Sequence, residues 1–559
     1  MSGTYTSNTS LLTDLFWVNL LSQRDVSFQV PINYVTQPAI ALTAACFGDK
    51  SYDGAAGSSC LSDLLTVGYR RFIVDIYWSH ENQKWLLCPV SIPSSSASNA
   101  SGASQYILGD YTCSSSFDVT TLTGVFDSYI QNTGQAVGAT FLYIIFNLHA
   151  AADSDAPDQP PPTLPASSLP SGPTMLGSII DKQLGLNIYT PTILTQERGN
   201  LNASWYADTS GNTNLLASYF ITDSDASNIQ STPDGWPCEA YLSQKSNKRL
   251  LFGLGSVDSQ MENYNFNNDS SYIFPADEVT SSTTISITSD ERGLRSGCFF
   301  NPQTTDVSKV NSSWAEGVPT NIDLNTTPEI SALLLNFTNC GISPILNQTL
   351  GGETVDFDID RYRIASMSTM WSWAIGEPRN ASGDPQFESG GTFRCAFMDT
   401  NSAGHWKAGN CSDEYRAACR VDNQPYSWIL SENSQSFSDS AYGCPENSSF
   451  DVPRTGLENT YLYDSVVSSV GDSSEQTIWI NMNSMQVQYC WVLGGTNSSC
   501  PYSADPDDVQ RRTILIPTIA AIVVLIITVL IIFVKCNSNR ISRRRKRVIE
   551  GWEYEGVPS

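Results

Sequence analysis

An α/β fold built on a parallel sheet or barrel, followed by one C-terminal membrane-spanning helix, is what this 559-residue chain predicts. Two patterns carry that reading. Short apolar runs rich in β-branched and aromatic residues recur through roughly the first 360 residues with amphipathic intervals between them. Near the C-terminus, residues 514–534 form an uncharged run of 21 residues, long enough as a helix to reach about 30 Å, the thickness of a bilayer core.

Taken in order, Leu11 to Leu21 (LLTDLFWVNLL) is apolar but short, broken by Asp14 and preceded by no basic residue. Residues 1–22 are therefore expected to be an N-terminal segment holding at most a degenerate or truncated signal. Strands are expected at Arg71 to Trp78, Thr140 to Leu148, Leu250 to Leu254 and Ile330 to Phe337. Their apolar character is near-continuous rather than alternating, as in strands buried on both faces, and Leu61 to Tyr69 and Leu122 to Gln131 read as amphipathic intervals between them. The Ser/Ala/Gly stretch Ser94 to Ser104 and the Pro-rich stretch Ala156 to Pro173 are surface loops. Residues 501–512 form a polar stalk.

The expected span is Thr513 to Val534, with Pro517 tolerated in its first turn. Lys535, Arg540 and the cluster Arg543 to Arg547 follow it, and basic excess beside a span favours the cytoplasmic face. Arg511 and Arg512 are diluted by Asp505, Asp507 and Asp508. The topology is single-pass type I, with the lipid bilayer as partner of residues 513–534 and a basic cytoplasmic tail at 535–559. Cys536 at the membrane edge is either a palmitoylation site or an idle thiol.

The formal net charge is −26, and the tail contributes seven basic and three acidic residues, so residues 1–534 sum to −30. No basic patch is available for phosphate contacts, which excludes direct nucleic-acid binding. Thirteen of fourteen cysteines precede the span without a metal-type CxxC pair, a pattern of disulfides with one thiol left free or paired between chains. Twelve Asn-x-Ser/Thr sequons, at Asn8, Asn99, Asn202, Asn268, Asn311, Asn325, Asn336, Asn347, Asn380, Asn410, Asn447 and Asn497, all precede the span. They fit a glycosylated luminal or extracellular ectodomain.

The segments SQRDVS (Ser22 to Ser27), PINYV (Pro31 to Val35), ALTAACFGD (Ala41 to Asp49), VGYRRFIVDIYW (Val67 to Trp78) and PENSSFDVPRTGLENTYL (Pro445 to Leu462) resemble a family of fungal type I membrane glycoproteins. That family is called maintenance of telomere capping protein 6, and the similarity covers nearly the whole chain. Within it, residues 23–365 resemble the TIM barrel of phosphatidylinositol-specific phospholipase C relatives, through GYRRFIVDIYW and NKRLLFGLGS (Asn247 to Ser256).

In such phospholipases a pair of histidines supplies the general base and general acid. The matching segments here, Leu42 to Phe47 and Leu86 to Pro89, hold none, and the chain has only His80, His149 and His405. The resemblance therefore implies a degenerate barrel without catalytic residues. His149, at the end of its strand, and Asp75 are the candidate pocket residues; His149 is expected to be structural or at the surface, and His80 to be exposed. No cofactor and no metal site are expected.

Residues 366–500 contain WAIGEPRN (Trp373 to Asn380), Cys395, His405-Trp406, Cys411 and Cys419, similar to the second half of an α+β C-type lectin-like domain. That resemblance implies a Cys395–Cys411 disulfide and a partner for Cys419 well upstream, with Cys340 the candidate. Arg379 and Lys407-Ala408 stand where calcium ligands would, which argues for a metal-free fold with Trp373 and Trp406 in the core. The leading expectation is a non-catalytic ectodomain that binds an unidentified luminal or extracellular protein or glycan, linked to telomere capping indirectly. The alternatives are a luminal phosphodiesterase or glycan-modifying enzyme using His149 with nearby carboxylates, and a structural cell-surface protein. The enzyme requires those groups to converge in one barrel-mouth pocket.

Overall fold

The computed structural model describes residues 3–93, 105–208, 213–287, 294–319, 327–379, 393–470, 477–502, 524–532, 534–535, 548–549 and 552–553. Met1–Cys500 forms one compact unit and Pro501–Ser559 a second.

The first unit opens with α1 (Asp14–Ser27), whose N-cap Thr13 accepts the Phe16 N–H, so the apolar stretch weighed as a signal is here a packed helix burying Phe16, Val18 and Val26. Among the described residues eight parallel strands follow in chain order: β1 (Ala39–Ala41), β2 (Arg71–Ser79), β3 (Leu142–Ala150), β4 (Leu250–Val257), β5 (Ile273–Phe274), β6 (Ser281–Ser282), β7 (Ala315–Gly317) and β8 (Ser343–Leu346). Each pairs with the next, and β8 returns to β1; only β5 and β6 share no ladder among the described residues. This is TIM-barrel connectivity opened at one seam. Helices α2 (Leu42–Phe47), α3 (Gly54–Thr66), α4 (Val119–Asn132), α5 (Leu176–Leu184) and α6 (Thr327–Asn339) lie in the connections, and α7 (Ile359–Ser368) follows β8.

Three expected strands are present with their ends shifted by a few residues. The fourth is not: Ile330 to Phe337 lies inside α6. Its buried residues, Ile330, Leu333, Leu334 and Phe337, follow the i, i+3, i+4, i+7 spacing of a helix face, which a near-continuous apolar run conceals.

Alternation along the central strands sorts the barrel. Phe72, Val74, Ile76 and Trp78 on β2 and Leu142, Ile144, Phe146 and Leu148 on β3 face the helices and are fully buried. The opposite parity faces inward, in the registered layers Ile73↔Ile145, Asp75↔Asn147 and Tyr77↔His149. The barrel is thus apolar through its middle and polar at its C-terminal end.

Residues 393–500 add a mixed sheet: β9 (Phe393–Asp399), β10 (His405–Asn410), β11 (Arg416–Val421), β12 (Trp428–Leu430), β13 (Ser448–Phe450), β14 (Thr477–Asn483) and β15 (Val492–Leu493), in the order β10-β9-β14-β11-β12 with β13 on β11 and β15 on β14. Helix α8 (Gly456–Val470) packs on β12. A buried Arg420 on β11 donates to Asp451 at 2.7 Å and to Glu458 of α8 at 2.8 Å. Glu458 also accepts from Tyr219 of the barrel region, and Ser27 donates to the Arg454 carbonyl at 2.7 Å. Trp373 and Trp406 are buried, as expected, and Trp373 Nε1 donates to Ser22 of α1. Barrel and second region therefore share one apolar core at the end of the barrel opposite its mouth.

Among the described residues six disulfides are formed. Cys395–Cys411 is as the resemblance implied. Cys419 pairs with Cys444 and Cys340 with Cys298, correcting the Cys340–Cys419 expectation. Cys340 directly follows α6 and meets Cys298, whereas Cys419 lies on β11, the strand paired with β13, and meets Cys444. Cys46–Cys60, Cys88–Cys113 and Cys490–Cys500 complete the set, and Cys238 is the buried free thiol.

In the second unit residues 524–532 are helical, and their large apolar side chains are exposed. Residues 513–523 and 533 of the expected span lie outside the described residues, as do most of the stalk and tail. Among the described residues no helix is long and apolar enough to cross a membrane.

Candidate binding site at the barrel mouth

The C-terminal ends of barrel strands are where this architecture exposes side chains to a shared cavity. Here the cavity measures ≈ 740 Å³ and is walled by strand ends and the loops that follow them, with none of the described residues of 366–500 in its wall.

At its floor stands Asp75. The Asp75 Oδ1 accepts from Asn147 Nδ2 at 2.8 Å, and Oδ2 accepts from Thr43 of α2. Asn147 is itself oriented by the Ser256 N–H, which donates to its Oδ1 at 2.9 Å. Gly255 makes room for this: a Cβ there would lie 2.3 Å from Asn147 Oδ1. One register step outward, His149 stacks on Tyr77 with ring centroids 4.9 Å apart. Its Nδ1 meets Asp258 Oδ2 at 2.7 Å, and its Nε2 lies 3.4 Å from Asp75 Oδ1.

The electrostatics follow from those contacts. Burial pushes Asp75 up, but hydrogen bonds from His149, Thr43 and Asn147 together outweigh it and hold the carboxyl below the usual carboxylate range. For His149 burial favours the neutral ring, and the flanking Asp75 and Asp258 overcome it, raising the imidazole above its ordinary value. The ring is thus held between two carboxylates that favour its protonated form.

The structure places His149 Nε2 3.4 Å from Asp75 Oδ1, and of the two it is Asp75 that lines the cavity. It adds Asp258, Asn147 and Thr43, which sequence reasoning missed; the signal for Asp258 was its place just past the apolar run LLFGLGSV. His80 is half-buried rather than exposed, with Nδ1 buried and unpaired. Its ring, Glu81 and Asp153 bring their ligand atoms within 4.8 Å of one another, close enough to hold a metal ion, on the loops after β2 and β3. In the second region Glu377 is buried and accepts from the Arg379 Nε and the Ala408 N–H.

Of the sequons, Asn8, Asn202, Asn268, Asn311, Asn347, Asn447 and Asn497 are exposed, and Asn336 and Asn410 are half-buried in α6 and β10. Asn99, Asn325 and Asn380 lie outside the described residues.

Eight parallel strands in chain order with a polar, solvent-open C-terminal mouth define a TIM-barrel-type α/β protein. The family described as the MTC6 partial TIM-barrel domain matches residues 13–358, and the chain belongs to that family. Over its whole length it is similar to Maintenance of telomere capping protein 6 of Meyerozyma guilliermondii, 26% identical across 99% of this chain and 96% of the relative. The same protein of Candida tropicalis is 26% identical across 96% and 94%, and that of Saccharomyces cerevisiae 27% identical across 68% and 66%. Among solved structures the chain is similar to a calcium-dependent phosphoinositol-specific phospholipase C from a Pseudomonas species, at 12% identity over 61% of this chain and 93% of that one, with a TM-score of 0.28.

Proposed function

We propose that this chain is a single-pass type I membrane glycoprotein whose ectodomain binds a ligand at the barrel mouth without transforming it, and that it takes part in telomere capping only indirectly. The observation that carries the non-catalytic reading is the commitment of His149: both ring nitrogens face carboxylates, so neither is free to take a proton from a substrate hydroxyl. Asp75, with hydrogen bonds to Thr43, Asn147 and His149, is likewise a weak base. The convergence of His149 with two carboxylates is what the alternative, a luminal phosphodiesterase, would also use. There the second histidine is the missing part, since His80 and His405 do not join the cluster.

The link to telomeres comes from the name of the relatives. An ectodomain region summing to −30 offers chromatin no basic surface. The membrane anchor rests on the uncharged run 514–534, the exposed apolar helix at 524–532 and the basic tail. The second region, in this reading, is a metal-free lectin-like module used for packing and protein contact. The test is turnover of a phosphodiester by the intact chain and by His149→Ala: the account expects none from either, and turnover by the intact chain that the substitution abolishes favours the enzyme.

A further inference from the structure

We infer that the barrel mouth takes an uncharged polyhydroxylated ligand, a saccharide or cyclic polyol, in preference to a phosphorylated one; this rests on the binding reading above. Charge excludes the phosphate. Among the described residues Lys50 is the one cation in the cavity wall, and its ammonium already meets Asp110 at 2.9 Å. Glu316, also in the wall, is matched by Arg71 at 2.6 Å, and Asp75 and Asp258 together exceed the single His149 by one negative charge. A phosphate entering here would find no uncompensated positive group and would lie near fixed carboxylates.

What the wall does offer suits a neutral polyol. The rings of Tyr52, Tyr77 and Tyr111 give flat apolar area, and hydroxyl and amide groups of Thr43, Asn147 and Ser282 stand among them. The donors and acceptors at the floor are held in place by the Gly255-enabled Asn147 and Asp75 network, so hydrogen-bonding geometry is fixed before a ligand arrives. At ≈ 740 Å³ the cavity lies within the range of small-molecule sites. Asn347, an exposed sequon asparagine, stands in the same wall. The saccharide therefore has two sources, an external ligand or the chain's own glycan.

The experiment is calorimetric titration of the full chain in detergent with methyl mannoside, myo-inositol, myo-inositol 1-phosphate and inorganic phosphate. At least one uncharged probe is expected to bind about tenfold or more tightly than either phosphate-bearing probe, and Asn147→Ala and Tyr111→Ala are each expected to weaken it by about tenfold. An unchanged affinity in Asn347→Gln assigns the site to an external ligand, and a gain in affinity assigns it to the chain's own glycan. Tighter binding of a phosphate-bearing probe, no binding of any probe, or binding indifferent to both wall variants overturns the inference. Breakdown of a phosphodiester instead defeats the non-catalytic reading, a separate failure that product analysis distinguishes.

Discussion

Asp75 and His149 are residues whose environments set their charge, and each gives a pH dependence with a definite sign. The His149 ring titrates above its unfolded value, so the stability it contributes is fully present below the ordinary histidine pKa, near 6.5, and is lost as pH rises through the raised one. Asp75 titrates below its unfolded value, so its contribution is present above the ordinary aspartate range and is lost as pH falls through the lowered one. Nitrogen-detected NMR of the His149 ring should show a midpoint above that of free histidine, and Asp75→Asn should bring it down; a midpoint at or below the free value contradicts the ion cluster. Gly255→Ala should displace Asn147 from Asp75 and Ser256 and lower stability by about 1–3 kcal/mol, read from chemical denaturation. Asp75 and His149 were legible in the sequence because a polar residue inside or ending an apolar strand stands out. Thr43 and Asp258 were not, because only barrel closure brings residues 43, 75, 149 and 258 to one place.

Among elements, the long strands β2, β3 and β4 were legible from composition, since burial on both faces demands continuous apolar sequence. The short strands β5, β6 and β7, of two or three residues, leave no pattern to read. Helix α6 was mistaken for a strand because ISALLLNF satisfies both periods over eight residues. Disulfide partners were equally hidden, as spacing cannot say which cysteines share a sheet edge. Peptide mapping under non-reducing conditions should find Cys419 with Cys444 and Cys298 with Cys340; a Cys340–Cys419 peptide contradicts the fold of the second region. The joint between β11 and α8 depends on a fully buried ion pair, Arg420 with Glu458. Arg420→Leu should cost about 3–5 kcal/mol, because it leaves Glu458 buried without its charge partner. Denaturant melts that coincide with those of the unchanged chain would contradict that role.

At the scale of the whole molecule, the chain divides its work between the two ends of the barrel. The base is continuous with the second region through a shared core of aromatic and aliphatic side chains, and the mouth is left open to solvent. That asymmetry fits a receptor-like ectodomain whose base is occupied by packing and whose mouth is free for a small ligand. Exposed sequons and six disulfides fit an oxidising, glycosylating compartment. Glycosidase treatment should therefore increase the gel mobility of the full-length chain; unchanged mobility contradicts the luminal placement.

The central claim is that the mouth binds and does not catalyse, and its most direct test is a turnover assay on the full chain in detergent. With phosphatidylinositol vesicles as substrate, water-soluble inositol phosphate is followed for the intact chain and for His149→Ala in parallel. The account predicts no release above the variant's background. Release by the intact chain that His149→Ala abolishes would contradict it and make the Asp75–His149–Asp258 cluster a catalytic one.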